Sequence, residues 1–166
     1  GKTTVAEILE NHHEYTVLDM GEVVRIEMKQ RDIPTEKTGE FVNKMRETHG
    51  TDAIAQLSTP YLEEIIEEKD KIVITGMRSI EEKQKFEKET GENIDMIAVW
   101  TPTQTRKERR EDRQREEDQV GDKFHERDQR EIQNGVAELI ALSEQLIKNN
   151  NITLEQLEEK VNKIVN

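Results

Sequence analysis

The sequence predicts an α/β fold, a parallel sheet with helices on both of its faces. Three observations predict it. Short apolar runs near residues 15–20, 71–75, 95–100 and 145–148 alternate with longer segments whose apolar residues recur at helical spacing. The first three runs end in polar turns, and ligands of open parallel sheets bind outside the carboxyl ends of the strands. The chain also opens on Gly1-Lys2-Thr3-Thr4. These are the closing residues of the pattern G-x-x-x-x-G-K-[ST], in which backbone N–H groups and a lysine hold phosphates and a hydroxyl reaches Mg²⁺.

Taken in order, Thr3 to Asn11 reads as a short helix with Val5, Ile8 and Leu9 on one face. Tyr15 to Met20 is β-branched and apolar and stops at Gly21, so it reads as a strand. Gly21 to Met28 restarts a helical pattern, and Arg31-Asp32-Ile33-Pro34 breaks it. Thr35 is placed to cap a helix carrying Phe41, Val42 and Met45, closed by His49-Gly50. Thr51 opens a longer helix in which Ile54, Leu57, Tyr61, Leu62, Ile65 and Ile66 form one amphipathic face; Pro60 should kink it.

Lys71 to Thr75 is a continuous apolar run ending at Gly76, the pattern of a strand buried on both faces. Ser79-Ile80-Glu81-Glu82 is a capping box, and Gly91 ends the helix it starts. Asp95 to Trp100 is a third strand, followed by Thr101-Pro102-Thr103-Gln104 with Thr at a cap and Pro at the first helical position. Asp122 to Ser143 reads as one helix with Ile132, Val136, Leu139 and Ile140 on a face. Gln145 to Lys148 is the fourth strand. After Asn149-Asn150-Asn151 a second capping box, Thr153 to Gln156, opens a helix burying Leu154, Leu157, Val161, Ile164 and Val165. The expectation is a chain that begins inside its own phosphate loop, short of a central first strand, and that as written binds nucleotide poorly.

Composition narrows the function classes. The 166 residues fit one domain. Only 32% are hydrophobic and 37% are charged, but the apolar residues are periodic, which argues for a folded chain. A net charge of −12 disfavours binding to nucleic acid or to anionic membranes. There is no Cys, hence no disulfide framework, and no apolar run approaches the roughly 18–20 residues of a membrane span. A cytoplasmic location is expected. His12, His13, His49 and His125 show no metal-ligand spacing.

The candidate site residues are those at the strand ends: Asp19-Met20-Gly21-Glu22, Thr75-Gly76-Met77-Arg78 and Trp100-Thr101-Pro102-Thr103, with Gly1-Lys2-Thr3 expected beside them. Singly, Gly21 and Gly76 also fit tight turns, and Arg78 a surface ion pair. Their convergence at one end of a sheet carries more than any of them alone. Residues 106–118 hold five Arg, one Lys and six acids, and seven of the chain's eleven Arg lie between Arg106 and Arg130. A solvated helix face laced with ion pairs would look like this. So would a lid whose guanidinium forks close on phosphate oxygens, and the position after a strand and between two helices favours the lid.

With those residues in view, the whole chain resembles the adenylate kinase and dephospho-CoA kinase group of P-loop NTPases, and within it the archaeal adenylate-kinase-related family. Gly1-Lys2-Thr3-Thr4 matches the end of that family's P-loop. Residues 19–25 resemble the entry to its acceptor-binding helix, Gly76-Met77-Arg78-Ser79 its Asp-Gly-x-Arg-Ser turn, and Phe124 to Gly135 the segment after its lid. The resemblance implies a three-layer nucleotide-kinase-like domain with an acceptor-binding helical insertion at 21–69 and an Arg-rich lid at 106–122. It implies ATP and Mg²⁺ held by Gly1, Lys2, Thr3 and Thr4, with Thr3 the metal ligand. A small nucleotide-like acceptor would be held by Asp19, Gly21, Arg25, Gly76 and Arg78. Lys2, Arg109, Arg110, Arg113 and Arg127 would carry catalysis. Two departures stand out: Thr75 occupies a position where the group often has an acid, and Glu22 one where Asp is usual. A nucleotide-binding regulator without turnover and an acidic interaction module without nucleotide are the alternative readings.

Overall fold

A computed structural model describes residues 1–113 and 122–165, with the side chains of 110–113, 122–124 and 127 outside the description. The chain divides into two compact units, one of residues 1–8 and 95–166, the other of residues 9–94.

The unit of residues 9–94 contains the C-terminal part of α1 (Lys2–His13), then β1 (Thr16–Asp19), α2 (Met20–Gln30), a 3₁₀ turn (Thr35–Lys37), α3 (Thr38–His49), α4 (Ala53–Ile66), β2 (Ile72–Thr75) and α5 (Ile80–Thr90). β1 and β2 run parallel in the register Thr16↔Ile72 to Asp19↔Thr75. Its core gathers Leu18 from β1, Met20, Val23, Val24 and Met28 from α2, Phe41 from α3, Ile54, Ala55 and Leu62 from α4, and Phe86 from α5. α2 is amphipathic because its buried positions recur at helical spacing, and Asp19 caps it by accepting the Gly21 N–H at 2.8 Å. α5 begins at the expected capping box of Ser79 and Glu82 and ends at Gly91 in the left-handed conformation.

The other unit contains the start of α1, then β3 (Ile97–Trp100), α6 (Thr103–Arg113), α7 (Asp122–Gln133), α8 (Val136–Leu142), β4 (Gln145–Lys148) and α9 (Leu154–Val165). β3 and β4 are parallel, Ile97↔Gln145 to Trp100↔Lys148. α9 starts at the reciprocal pair of Thr153 and Gln156, whose side chains each accept the other's backbone N–H, at 3.2 and 3.0 Å.

Several expectations need correcting. The four strands form two two-stranded parallel sheets among the described residues, where one sheet was expected. Periodicity marks each strand but says nothing of its partner. Thr35 opens a 3₁₀ turn, and the α-helix starts only at Thr38, whose hydroxyl donates to the Thr35 carbonyl at 2.6 Å. Asp52, not Thr51, occupies the cap position of α4. The expected helix from Asp122 to Ser143 is two helices, because Gly135 adopts φ +105 and sends the chain in a new direction. Leu154, read as buried, is exposed, as are Ile132 and Ile140 of the face read between Asp122 and Ser143, and β2 is half-buried where burial on both faces was expected.

Candidate functional site

In the first unit the candidate phosphate loop lies at the N-terminus of α1. Lys2 and Thr3 are exposed in its first turn, Thr4 is half-buried, and the Val5 N–H donates to the Gly1 carbonyl at 3.0 Å. The amides of a helix's first turn have no carbonyl one turn earlier to bond, and the helix dipole adds positive potential there. Gly1 sits tightly. A Cβ on it would lie 2.6 Å from Asn149 Nδ2 and 3.1 Å from Val99 Cγ1, so a larger residue would have to displace these side chains at the ends of β3 and β4.

Asn149, absent from the sequence-based site, organises this end of the sheet. It is buried, its N–H donates to the Trp100 carbonyl at 2.8 Å, and its carbonyl accepts the Thr101 hydroxyl at 3.1 Å. Arg109 donates to its side-chain oxygen at 3.4 Å, and Thr105 donates to Asn150 at 2.9 Å. The Asn-rich turn was visible in sequence, but nothing there showed that its first member turns inward. Arg106 makes a bidentate pair with Asp128, both bonds 2.6 Å, and also reaches Thr101 and Thr103. Of the four arginines read as catalytic, Arg109 is thus brought to Asn149. The side chains of Arg110, Arg113 and Arg127, and residues 114–121 of the charged run, lie outside the described residues.

In the second unit the structure brings all five predicted acceptor residues to the carboxyl ends of β1 and β2. The ladder sets Asp19 opposite Thr75. Gly76 has φ +101, and a Cβ on it would approach the Met20 Cβ to 3.2 Å and the Gly21 nitrogen to 3.5 Å. A Cβ on Gly21 would lie 3.1 Å from Asp19 Oδ1. Arg25 is held by Glu22 at 2.6 Å and faces Asp19 at 3.6 Å. Arg78 folds back to donate to the carbonyls of Gly76 at 2.7 Å and Met77 at 3.2 Å. Beside Arg25 a groove of about 580 Å³ is lined by Ile26, Lys29, Asp32, Ile33 and Pro34 among others.

Beneath this turn lies a group whose burial the sequence did not reveal. Glu82 is fully buried and accepts from Arg46 at 2.7 Å and from the Arg78 N–H at 2.5 Å. Burial pushes its carboxyl above the usual range, while the Arg78 N–H, Arg46 and the Ser79 N–H act in the opposite sense. The capping box disclosed Glu82 as a cap residue but not as an ion-pair partner. Among the described residues no group of His, Asp and Glu is arranged to hold a metal by itself, and no helix is long and apolar enough to cross a membrane.

Comparison with known proteins gives concordant matches. The AAA domain family profile matches residues 1–126. A UPF0200 protein of Pyrococcus horikoshii is 35% identical over 90% of this chain and 82% of its own length. One from Methanococcus maripaludis is 32% identical over 100% of this chain and 92% of its own. A UPF0200/UPF0201 protein of Archaeoglobus fulgidus is 32% identical over 99% of this chain but only 51% of its own length.

Proposed function

We propose a function from this premise: the chain belongs to the AAA domain family of P-loop NTPases and groups with the UPF0200 proteins. In our reading it is a kinase of small molecules in the cytoplasm. It binds ATP with Mg²⁺ and transfers the γ-phosphoryl to a nucleotide-like acceptor of the dephospho-CoA or nucleoside monophosphate type. The observation that carries the reading is the seat of Gly1, where a Cβ would fall 2.6 Å from Asn149 at the start of a helix bearing Lys2 and Thr3. That donor set fits a polyphosphate with its cation: first-turn amides, one ammonium and one hydroxyl.

Bound ATP would supply the transferable phosphoryl group, and Mg²⁺ the charge that neutralises its oxygens. Lys2 would hold the β- and γ-phosphates, Thr3 would ligate Mg²⁺, and Gly1 and Thr4 would complete the cradle. Arg109, kept at the sheet end by Asn149, would neutralise charge on the transferring group together with Arg110 and Arg113 of the lid at 106–122 and with Arg127 beyond it. Residues 21–69 would form the acceptor-binding insertion. Arg25 and Arg78 would supply its guanidinium forks, Asp19, Gly21 and Gly76 would shape the turn, and the groove beside Arg25 would take the body of the acceptor.

Thermal unfolding of the full-length protein tests the first step. Saturating Mg-ATP should raise Tm, since ligand at about 100 times its Kd adds roughly 2.7 kcal/mol, and Lys2→Ala should remove the shift. No shift in the unsubstituted protein would sink the reading. A screen of AMP, other nucleoside monophosphates, dephospho-CoA and simple alcohols for ADP release then identifies the acceptor. A second reading, a nucleotide-binding regulator without turnover, is favoured by Thr75 standing opposite Asp19 where the resemblance suggests an acid. Single-turnover assays with labelled ATP separate the two: tight binding without transfer supports the regulator.

A further inference from the structure

We propose that Arg46 and Glu82 are positioning residues, a buried ion pair that ties α3 to the turn Gly76–Ser79 and so fixes where Arg78 stands. The proposal rests on the kinase reading only for what Arg78 does once it is placed.

The capping of α5 needs much less than is present. A capping box asks only that the residue at the third helical position accept the N-cap N–H, which a solvated glutamate can do. Glu82 instead is fully buried and receives three donors. Arg46 reaches Oε1 at 2.7 Å, while the N–H groups of Arg78 and Ser79 reach Oε2 at 2.5 and 3.3 Å. One carboxylate thus joins α3 to two consecutive amides of the turn. A second tie runs in parallel: the Ser79 hydroxyl, itself buried, donates to the carbonyl of Thr51 between α3 and α4 at 3.2 Å. The Arg78 guanidinium is bonded to the carbonyls of Gly76 and Met77, so its place follows that of the turn.

Energetics argue that the pair is there for geometry. Removing two ions from water costs several kcal/mol per ion and is repaid only when every donor and acceptor is satisfied. Here Arg46 Nε is buried with no hydrogen-bond partner. An apolar pair of similar volume would stabilise the fold at least as well, but it could not aim two turn amides at one point. α3 belongs to the segment read as the acceptor-binding insertion. The pair therefore links that segment to Arg78, a strand-end arginine whose guanidinium is anchored on its own turn.

The test uses the full-length protein with Arg46→Met, Glu82→Gln, the double variant and the conservative Arg46→Lys. NMR-resolved amide hydrogen exchange at Arg78 and Ser79 reads the link without any nucleotide. Loss of a charge-assisted bond should speed exchange at these two amides about tenfold or more, with the rest of α5 unchanged and Arg46→Lys largely restoring protection. In the transfer assay the KM for the acceptor should rise about tenfold, while kcat and the KM for ATP hold. Unchanged exchange at both amides in a folded variant would overturn the proposal. So would faster exchange with an unchanged acceptor KM, which confines the pair to capping. Should Glu82→Gln fail to fold, the comparison of Arg46→Met with Arg46→Lys carries the same decision. If no acceptor is turned over at all, the kinase reading falls, and exchange still judges the link.

Discussion

Gly76 shows how much one residue can decide. Its φ of +101 lies where an L side chain is strained, and the missing Cβ would press on Met20, a fully buried core residue, at 3.2 Å. Both costs fall on the same substitution. Gly76→Ala should therefore lose about 2 kcal/mol of stability, more than a glycine merely chosen for flexibility would. Urea unfolding measures it, and a loss below about 0.5 kcal/mol would mean the turn relaxes without Met20 moving. Gly91 offers an internal control. Its φ is +73, but no atom lies within 4 Å of the added Cβ, so Gly91→Ala meets the backbone term alone. The same contrast explains why Gly76, and not Gly91, belongs to the candidate site: it is close approach to a neighbouring element, rather than the turn, that demands glycine.

At the scale of elements, α4 poses the clearest question. Pro60 lies inside a helix that runs unbroken from Ala53 to Ile66, so the carbonyl of Gln56 has no N–H at position 60 to accept from. Immediately before it, the buried Ser58 and Thr59 hydroxyls donate to the carbonyls of Ile54 and Ala55, at 2.8 and 3.0 Å, giving those acceptors a second partner. Pro60 is exposed. Pro60→Ala should stabilise the protein by about 2 kcal/mol, after allowing roughly 0.4–1 kcal/mol for the added freedom of the unfolded chain. A neutral result would show that solvent already satisfies Gln56. Elements were also where the sequence was most readable. The strands at 16–19, 72–75, 97–100 and 145–148 and both capping boxes follow from apolar runs and from Ser or Thr three residues before Glu or Gln. What periodicity missed was local chemistry of another kind. The 3₁₀ turn at Thr35–Lys37 satisfies its backbone through short-range bonds that leave no periodic trace. Gly135 interrupts a helical pattern that its neighbours continue. Within the site, the strand-end residues were legible because turn and charge chemistry is local. Asn149 and Glu82 were not, because their importance comes from burial beside residues 148 and 36 positions away.

For the molecule as a whole, charge sets the terms. A net charge of −12 makes the compact state repel itself at neutral pH, and protonation on moving toward the pI of about 4.9 relieves that repulsion. Glutamates add structure-specific contributions of both signs, Glu82 in one sense and Glu87, with Glu89 beside Lys85, in the other. Burial raises the affinity of Glu82 for its proton above that in the unfolded chain, so the native state binds more protons in the window between the ordinary glutamate pKa and the raised one. Stability must then rise as pH falls through that window. Glu87 is the reverse. It accepts the Ile94 N–H at 3.0 Å and the Lys83 ammonium at 2.5 Å, which hold its pKa below the usual range, so its contribution is complete above the ordinary value and is lost as pH falls through the lowered one. Tm measured against pH should accordingly climb from neutrality to a maximum on the acid side and then fall. Glu82→Gln should flatten the climb because it removes the titrating group, and Glu87→Gln should flatten the descent while leaving the climb intact. Added salt, which screens the general repulsion, should raise Tm at pH 7 and leave the difference between wild type and Glu82→Gln in place, since a buried pair is screened much less than the surface. A climb that vanished in salt but survived Glu82→Gln would assign it to surface repulsion alone.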